Sequence, residues 1–301
     1  MSRPAKPPLP LRDGVAASAV FCPPGPWLTT AAFLAERLPR VDDWSERLAR
    51  GDVVDDDGRA ADEGYRPNRR LYYWRYLANE PEVPFQERIV FQDEHLLVAD
   101  KPHFLPVTPS GLYARQTLMA RLRHKTGLHD LIPIHRLDRE TAGLVVFSVR
   151  PQDRDAYHQL FRERAVEKVY DAIAPFSEGP WPRTVRHRLE EPDTEQFLQM
   201  QVVEGEPNAE TRIALVEPLP GGLARYELRP HTGARHQLRA QMNALGLPIV
   251  GDRVYPVLQP HENPPRFDAP LQLIAREISF TDPITGAPRR FSRTDPTIGP
   301  P

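Results

Sequence analysis

The sequence predicts an α+β protein built on a mainly antiparallel, mixed β-sheet with flanking helices. Runs of β-branched and aromatic residues outnumber the helical segments, and several neighbouring runs are close enough in sequence to form hairpins. Proline is abundant, at 35 of 301 residues, and often occurs in pairs such as Pro264-Pro265. Because proline interrupts helices and central strands, this distribution favours many short elements joined by stiff loops.

The composition is that of a globular protein without a membrane segment. Hydrophobic residues make up 40% of the chain and charged residues 27%, and no apolar run approaches the roughly 18 residues that span a bilayer. The N-terminus lacks the continuous apolar segment of a signal peptide. The single cysteine, Cys22, permits neither an internal disulfide nor a cysteine-based zinc site. We therefore expect a cytoplasmic protein with no membrane partner.

Charge is unevenly distributed along the chain, although the net charge is only −2. Residues 36–64 contain ten acids and five arginines, a local net charge of −5. Residues 111–170 contain eleven bases and seven acids, a local net charge of +4. Overall charge therefore does not indicate a nucleic-acid-binding protein, and the segregation of charge along the chain is also explained by chance surface composition.

Four regions are expected along the chain. They are a Pro-rich, irregular tail at 1–26, a small α/β region with its linker at 27–85, the main domain at 86–292 and a C-terminal tail at 293–301. In the small region, TTAAFLAERL and VDDWSERLARG predict two short helices, the first with Thr29 or Thr30 as its N-cap. DVVDDDG predicts a short strand that ends in an Asp-Gly turn, and RRLYYWRYL predicts a further β segment.

The main domain is expected to begin with a hairpin, because IVFQDEHLLVADKP places two apolar runs around a polar Asp93-Glu94 turn. GLVVFSV, residues 143–149, has the continuous apolar character of a buried strand. Helices are expected at 114–125, 152–164 and 233–245, the last of them ending at Gly246. Further strands are expected at 168–174, 184–189, 197–203, 210–216, 223–229 and 271–280.

The segment IHRLDRETAGL, residues 134–144, carries the most informative chemistry. Asp138 lies between Arg136 and Arg139, and nearby positive charge favours an ionised carboxylate, which is a usable nucleophile. Small residues follow, Gly143 tolerates unusual backbone angles, and the next strand anchors the loop. If the segment is extended, Arg136 and Asp138 project to the same side. Taken alone, these residues also fit a surface aspartate with flanking ion pairs.

HRLDRETAGL resembles the signature of the RluA-type pseudouridine synthases, H-R-L-D-x-x-T-[SA]-G-[LI]. Three further segments resemble motifs of that family in the same order: VFQDEHLLVADKPHFLPV at 90–107, KVYDAI at 168–173 and HTGARHQLRAQMNALGLPIVGDRVY at 231–255. The resemblance covers about residues 86–290. It implies the pseudouridine synthase fold and an enzyme that isomerises uridine to pseudouridine in RNA without a cofactor or a metal.

The resemblance implies catalytic roles for three residues. Asp138 takes the position of the family's nucleophile, and attack on C1′ of the ribose and attack on the uracil ring both stay open. Tyr170 of the K-x-Y-x-A motif is expected to pack against the target base, with its hydroxyl near the reaction. Arg239 of H-Q-[IL]-R is expected to pair with Asp138 and to hold the carboxylate in position.

Three arginines are expected to contact RNA. Arg136 is expected to fill the gap that a flipped uridine leaves in a stem. Arg139 flanks the nucleophile, and Arg235, expected on the same helical face as Arg239, is a candidate phosphate contact, although a solvated surface arginine explains it equally well. No catalytic step is assigned to His135.

The chain departs from the family pattern in places. Ala234 replaces the usual arginine after T-G, Ala142 replaces the usual serine, and the G-D-x-x-Y match around Asp252 is interpreted as structural. Residues 27–85 faintly resemble the S4-like RNA-binding module that precedes some members, but they are acidic where those modules are basic. RPNRRLYYWRY, residues 66–76, is the better candidate for an RNA surface, and a sheet edge lined by arginines explains it equally well.

Two other functions stay open at this point. A non-catalytic RNA-binding protein of the same fold could act as an RNA chaperone, but it need not keep Asp138, Tyr170 and Arg239 together. A carboxylate-dependent glycosidase would need a second carboxylate beside Asp138, and strand alternation places Glu140, the nearest one in sequence, poorly for that role. The expected partner is a stem-loop of ribosomal or transfer RNA, and the expected oligomeric state is a monomer.

Overall fold

The computed structural model describes residues 9–39, 41, 43–75, 80–192, 199–260, 262 and 265–294. The chain divides into two compact units, one of Met1–Glu80 with Thr108–His129 and one of Pro81–Val107 with Asp130–Pro301. The stretch 108–129, which the sequence analysis grouped with 86–292, thus belongs with the N-terminal residues. The proposed domain limits otherwise stay predictions. In the described part of the chain, no helix has the length and apolar character needed to cross a membrane.

The first unit contains a three-stranded antiparallel sheet with three helices. Its elements are β1 Ser18–Cys22, α1 Thr30–Arg37, α2 Trp44–Ala49, β2 Val53–Val54, β3 Arg69–Tyr73 and α3 Leu118–Thr126, with the strands in the order β1-β3-β2. The predicted cap of α1 is confirmed, since the Thr29 side chain accepts from Ala32 N at 3.1 Å. β1 lies within the tail that was expected to be irregular. Hydrogen bonds to β3 hold it as a strand, although its own sequence does not indicate one.

Side-chain to backbone bonds explain why α3 belongs to the first unit. The Glu80 carboxylate accepts from the backbone N–H groups of Ala114 at 2.7 Å, Arg115 at 3.1 Å and Gln116 at 2.6 Å. Val15 packs in one hydrophobic cluster with Ala114 and with the buried Ala120 of α3. Because both contacts join residues far apart in sequence, local patterns could not have indicated them.

The arginine–aromatic segment of the first unit is a core strand and not a stacking surface. Tyr72, Tyr73 and Trp74 are 2%, 8% and 5% exposed, so their rings are unavailable to bases and the predicted RNA surface is wrong for them. Trp44 packs edge-on against Tyr73 with ring centroids 5.2 Å apart. Tyr76, which belonged to the same prediction, lies outside the described residues. The S4-like interpretation of this region stays a prediction.

The second unit is built on one large mixed sheet. Its described elements are β4 Arg88–Gln92, β5 Leu96–Lys101, β6 Ile132–Pro133, β7 Ala142–Ser148, α4 Arg154–Arg162, β8 Glu167–Pro175, β9 Arg183–Glu190, β10 Gln201–Val203, β11 Ala209–Leu219, β12 Leu223–Pro230, α5 Gln237–Ala244, β13 Leu273–Thr281 and β14 Pro288–Ser292. The order is β10-β9-β11-β12-β8-β13-β7-β5-β4, with β14 beside β13 and β6 beside β7. Among the described pairings only β13 with β7 is parallel, so the predicted mainly antiparallel, mixed sheet is confirmed.

Two helices of the second unit bury their apolar faces against this sheet. On α5, Leu238 and Met242 join a core cluster with residues of β8 and β12. On α4, Tyr157 is fully buried in a second cluster with residues of β5, β7 and β13, and its hydroxyl donates to Asp282 at 3.1 Å. The strands β6 and β14 were not predicted, because each is short or polar and is held mainly by its neighbour.

A glycine allows the only described parallel pairing of the sheet. Gly143 has φ of +116°, and a Cβ there would lie 2.2 Å from the carbonyl oxygen of Ala275. Ala275 is paired with Gly143 of β7 on one side and with Tyr170 of β8 on the other. Only glycine combines this backbone angle with so close an approach. The loop before β7 is thereby held one strand away from β8, with β13 between them.

We expect Gly143→Ala to destabilise the second unit strongly. The methyl group must displace backbone atoms and the residue must keep a positive φ, so the free energy of unfolding should fall by roughly 3–5 kcal/mol. Gly222→Ala is the matched control, because Gly222 has φ of +71° but no atom within 4 Å of an added Cβ. It should cost about 1 kcal/mol. Urea unfolding of both variants measures the difference, and equal losses would contradict the close-contact argument.

Candidate active site

A cavity of about 580 Å³ opens in the second unit where the loop before β7 meets the start of α5. Five of the six candidate site residues line it, namely Arg136, Asp138, Tyr170, Arg235 and Arg239. The sixth candidate, Arg139, is not among the lining residues. Residues from three distant parts of the sequence are thus brought together at one place. Among the described residues, no group of three or more His, Cys, Asp or Glu side chains could hold a metal ion.

The Asp138 carboxylate is positioned by an ion pair. Nη1 of Arg239 lies 3.2 Å from Oδ2 of Asp138, as the sequence analysis expected of this pair. Nε2 of His236 lies 3.8 Å from the same oxygen. The Asp138 side chain keeps 29% of its surface exposed, while that of Arg239 keeps 3%. A partly exposed carboxylate is therefore held by a buried cation, and its free face lies in the cavity.

Asp252 holds Arg239 in turn. Its Oδ2 accepts from Arg239 Nε at 2.8 Å and its Oδ1 from Nη2 at 2.7 Å, a bidentate pair with a fully buried carboxylate. Oδ1 also accepts from the backbone N–H groups of Val254 and Tyr255 at 2.8 and 3.1 Å. Burial opposes the charge on Arg239, but its pairs with Asp252 and Asp138 outweigh burial and raise the pKa of the guanidinium. Asp252, interpreted from the sequence as structural, thus makes a positioning contact with the guanidinium that holds Asp138.

Tyr170 reaches the cavity from β8. It pairs with Ala275 of β13, which also pairs with Gly143, so the sheet fixes the distance between Tyr170 and the loop that carries Asp138. Burial, followed by the negative charge of Asp138, raises the pKa of the Tyr170 hydroxyl, so the phenol stays protonated at neutral pH. The hydroxyl has no hydrogen-bond partner in the part of the chain that the structure describes. A phenol of this kind can donate to a group bound in the cavity.

A buried lysine fixes the loop after Asp138. Lys101 is fully buried, and its Nζ donates to the carbonyl oxygens of Pro102 at 3.0 Å, Leu105 at 2.8 Å and Arg139 at 3.0 Å. Burial lowers the pKa of Lys101 to about 7, while three carbonyl acceptors match the three hydrogens of an ammonium group. The residue next to Asp138 is thereby tied to the turn after β5. The sequence predicted this turn as the end of a hairpin and did not predict its contact with the loop after Asp138.

Two histidines complete the support of the loop. Nδ1 of His103 bonds to the carbonyl oxygen of Glu140 at 2.7 Å. Nε2 of His135 accepts from Val146 N at 3.1 Å, and its ring stacks on Phe161 with centroids 5.1 Å apart. Burial, with a smaller effect of a nearby lysine, lowers the pKa of His135 to about 3, so the ring is neutral. His135 is therefore a structural acceptor, consistent with assigning it no catalytic step.

The three arginines expected to contact RNA differ in their surroundings. Arg136 is exposed at the cavity and has no ion-pair partner among the described residues. Arg139 pairs with Glu140, with Nε 2.7 Å from the carboxylate. The prediction that Arg235 shares a helical face with Arg239 is wrong, because α5 begins only at Gln237. Arg235 stands in the preceding turn and pairs with Glu191 at 2.9 Å.

The turn before α5 was predicted as helix and is held by a side chain instead. Oε1 of Gln237 accepts from Thr232 Oγ1 at 2.7 Å and from Ala234 N at 3.0 Å, which bends the chain at the helix start. His236 takes a left-handed conformation, with φ of +50°. Its Nδ1 is buried without a partner among the described residues. Burial, opposed by the charge of Asp138, lowers the pKa of His236 to about 4, so a neutral imidazole stands beside the carboxylate.

The chain is similar to known proteins over the part that contains this site. A family model described as RNA pseudouridylate synthase matches residues 95–244. A dual-specificity RNA pseudouridine synthase RluA of Haemophilus influenzae is 35% identical over 217 residues, which cover 71% of this chain and 95% of that protein. The solved human RNA pseudouridylate synthase domain containing 4 is 26% identical with a TM-score of 0.54, over 69% of this chain and 88% of that one. Human RNA pseudouridylate synthase domain containing 1, at 24% identity and a TM-score of 0.59 over 72% and 86%, shares the fold.

We expect His236→Asn to weaken the dependence of stability on pH. The folded pKa of His236 is about 4 against an ordinary value of 6.5, so only the unfolded chain takes up this proton between those values. Its contribution to stability is complete above pH 6.5 and is lost as the pH falls towards 4, by up to about 3 kcal/mol. Asparagine accepts the left-handed backbone and does not titrate. Urea unfolding between pH 7 and pH 4 measures the slope, and a variant slope equal to that of wild type would contradict the assignment.

Proposed function

We propose, on the premise that this chain belongs to the RluA-type family of RNA pseudouridine synthases, that Asp138 is the nucleophile with which it converts uridine to pseudouridine in RNA. The isomerisation detaches uracil from the ribose, turns it and rejoins it through C5. The observation that carries the proposal is the position of the Asp138 carboxylate, which faces the cavity and is held at 3.2 Å by Arg239. A fixed, charge-paired carboxylate is the arrangement that nucleophilic catalysis requires.

Tyr170 and Arg239 complete the proposed catalytic set. Arg239 keeps the carboxylate aligned through Nη1 while its other two nitrogens, Nε and Nη2, donate to Asp252. Tyr170 offers the face of its ring to the uracil and a protonated hydroxyl to the groups that change during the reaction. Stacking of a base on an aromatic ring contributes roughly 1–3 kcal/mol, enough to hold uracil while it is detached from the sugar.

Arg136 is proposed to stabilise the RNA after its uridine has left the stack. A uridine in a structured RNA must be flipped to reach the cavity, which costs a few kcal/mol. The Arg136 guanidinium is exposed at the cavity and no described carboxylate competes for it. A planar cation can occupy the vacated space and stack on the neighbouring bases. Arg139 has a weaker case, because Glu140 already neutralises it.

We further propose that the substrate is a stem-loop of ribosomal or transfer RNA, modified at a specific uridine by a monomer in the cytoplasm. Support for the RNA class comes from the similarity to a relative described as a dual-specificity RNA pseudouridine synthase. Nothing observed on the described residues favours the alternative of a non-catalytic RNA-binding protein. A binder would not need the ion-paired carboxylate at the centre of the cavity.

Asp138→Asn should abolish turnover while keeping RNA affinity within about tenfold of wild type, because the amide keeps the shape but is not a nucleophile. Formation of the C5 glycosidic bond expels the C5 hydrogen, so tritium release from RNA labelled at uracil C5 reports the chemistry. Transcribed transfer RNAs and ribosomal RNA fragments are the substrates. Asp130→Asn is the control, because Asp130 is exposed and pairs with Arg154 away from the cavity lining.

Release by wild type and Asp130→Asn alone would establish Asp138 as the nucleophile and would identify the RNA class. Release by Asp138→Asn at a comparable rate would rule out its catalytic role. Wild type that binds these RNAs without releasing tritium would instead favour the non-catalytic alternative.

Asp252→Asn should lower kcat by roughly 10–100-fold with a much smaller change in KM, because an Arg239 that has lost its bidentate anchor no longer holds Asp138 in line. Asp282→Asn is the matched control, since Asp282 is an equally buried carboxylate that pairs with Arg289 away from the cavity lining. Both variants should lose stability, so tritium release is measured at a temperature where each is folded. An equal loss of kcat in both would show that Asp252 acts only through stability.

A further inference from the structure

Carboxylates neutralise most of the basic side chains of the second unit. Seventeen of its arginines lie within ion-pair distance of a described Asp or Glu. The basic residues of this unit without such a partner among the described residues are Lys101, Arg136, Arg164, Lys168, Arg183 and Arg212. Lys101 donates to carbonyls, and Arg183 lies over the Trp181 ring at 4.4 Å. Lys101 uses all three of its ammonium hydrogens in this way, while Lys168 donates only one of its three to a carbonyl, so Lys168, Arg136, Arg164 and Arg212 can still contact an external anion.

Two of these cations lie together beside the active-site cavity. Lys168 lines that cavity and donates from Nζ to the carbonyl oxygen of Thr232 at 3.0 Å. A second cavity of about 270 Å³ is lined by Arg164, His231 and the ion pair of Arg186 with Glu210, and Thr232 belongs to the walls of both cavities. The proposed uridine pocket therefore adjoins a second pocket in which Arg164 has no carboxylate partner among the described residues.

We propose that Arg164 and Lys168 bind a phosphodiester group of the substrate RNA next to the target uridine. The inference rests on the proposed function, since it assumes that the larger cavity receives the uridine. A strand that delivers its base to that cavity must carry its backbone past the rim, and phosphate is the anion that it brings there. Arginine and lysine are the side chains that bind this group most strongly.

The backbone at Arg164 supports a role beyond folding. α4 ends in a Schellman motif, in which Ala165 N bonds to Leu160 O at 2.8 Å and Arg164 N to Phe161 O at 3.3 Å. The left-handed position of that motif normally belongs to glycine, but here Arg164 occupies it with φ of +58°. An arginine strains this position where glycine would relax it. A residue whose strained backbone lowers the stability of the fold is expected at positions where its side chain binds a ligand.

The electrostatics of Lys168 agree with an anion site. Burial and then the charge of Arg164 lower the pKa of Lys168 to about 8. Neither side chain has a carboxylate partner among the described residues, so in the free protein no such carboxylate offsets their mutual repulsion. A phosphate bound by both would offset that repulsion.

Arg164→Gly tests the site, because it separates stability from binding. Removing the strained side chain should raise the Tm by about 1–3 °C. Loss of one phosphate contact should weaken binding of a transcribed stem-loop RNA by roughly 3–10-fold and reduce the slope of log K against log salt by about 0.7–0.9. Lys168→Gln should give a similar change of slope. Arg212→Gln is the control, since Arg212 also lacks a described carboxylate partner but lines neither cavity.

The outcomes are distinguishable when anisotropy titrations are combined with tritium release by the full chain. A higher Tm with unchanged RNA affinity, salt slope and KM would overturn the phosphate site, as would an equal loss of affinity in Arg212→Gln. Recovery of affinity in Arg164→Lys would support it. Wild type that releases no tritium, but whose RNA affinity depends on Arg164, would reject the proposed function and retain the site as an RNA contact.

Discussion

The arrangement of the site depends on one buried guanidinium between two carboxylates. Arg239 gives two of its donors to Asp252 and a third to Asp138. Because a guanidinium is planar and its donors are fixed, the bidentate pair with Asp252 determines where the remaining nitrogen points. Asp252 is itself fixed by two backbone N–H groups. The main chain after α5 therefore sets the orientation of Asp252, then of Arg239, and finally of Asp138. The cost of burying this cluster is limited, since its one exposed member is the carboxylate that faces the cavity.

The sheet brings the partners of that cluster together. The backbone of Gly143 approaches Ala275 closely enough that no side chain fits between them, and Tyr170 is on the other side of the same strand. The loop with Asp138 leaves this point with little freedom, because Lys101 and His103 bind the two carbonyl groups that follow it. Rigid support of this kind keeps a nucleophile aligned without a contribution from bound RNA.

Sequence alone predicted the features that depend on local patterns. The hairpin before residue 102, the strand around Val146 and the gathering of Asp138, Tyr170 and Arg239 all followed from periodicity or motifs and agree with the structure. The predictions that were wrong concern residues whose conformation or exposure is set by contacts within the folded protein. The segment near Trp74 combines arginines with aromatic residues, as an RNA-binding surface would, but the first unit buries its aromatic side chains. The start of α5 was misplaced because His236 takes a left-handed conformation that a helix does not include, and the Gln237 side chain bonds back to Thr232 and Ala234.

Counter-ions decide which basic residues can serve RNA, and they reconcile an acidic chain with an anionic partner. The net charge is −2, yet the larger cavity is lined by four arginine or lysine residues and one carboxylate. In the first unit, Arg66 and Arg69 both lie near Asp62, so an RNA strand would have to displace a carboxylate to reach them. Such an exchange yields little, because one ion pair replaces another. Arg136, Arg164 and Lys168 would require no such exchange, so in the roles proposed for them we expect the RNA strand to bind at the cavities that they line. The property that matters for RNA binding is therefore where the basic side chains without carboxylate partners lie. The net charge counted from a sequence does not show this.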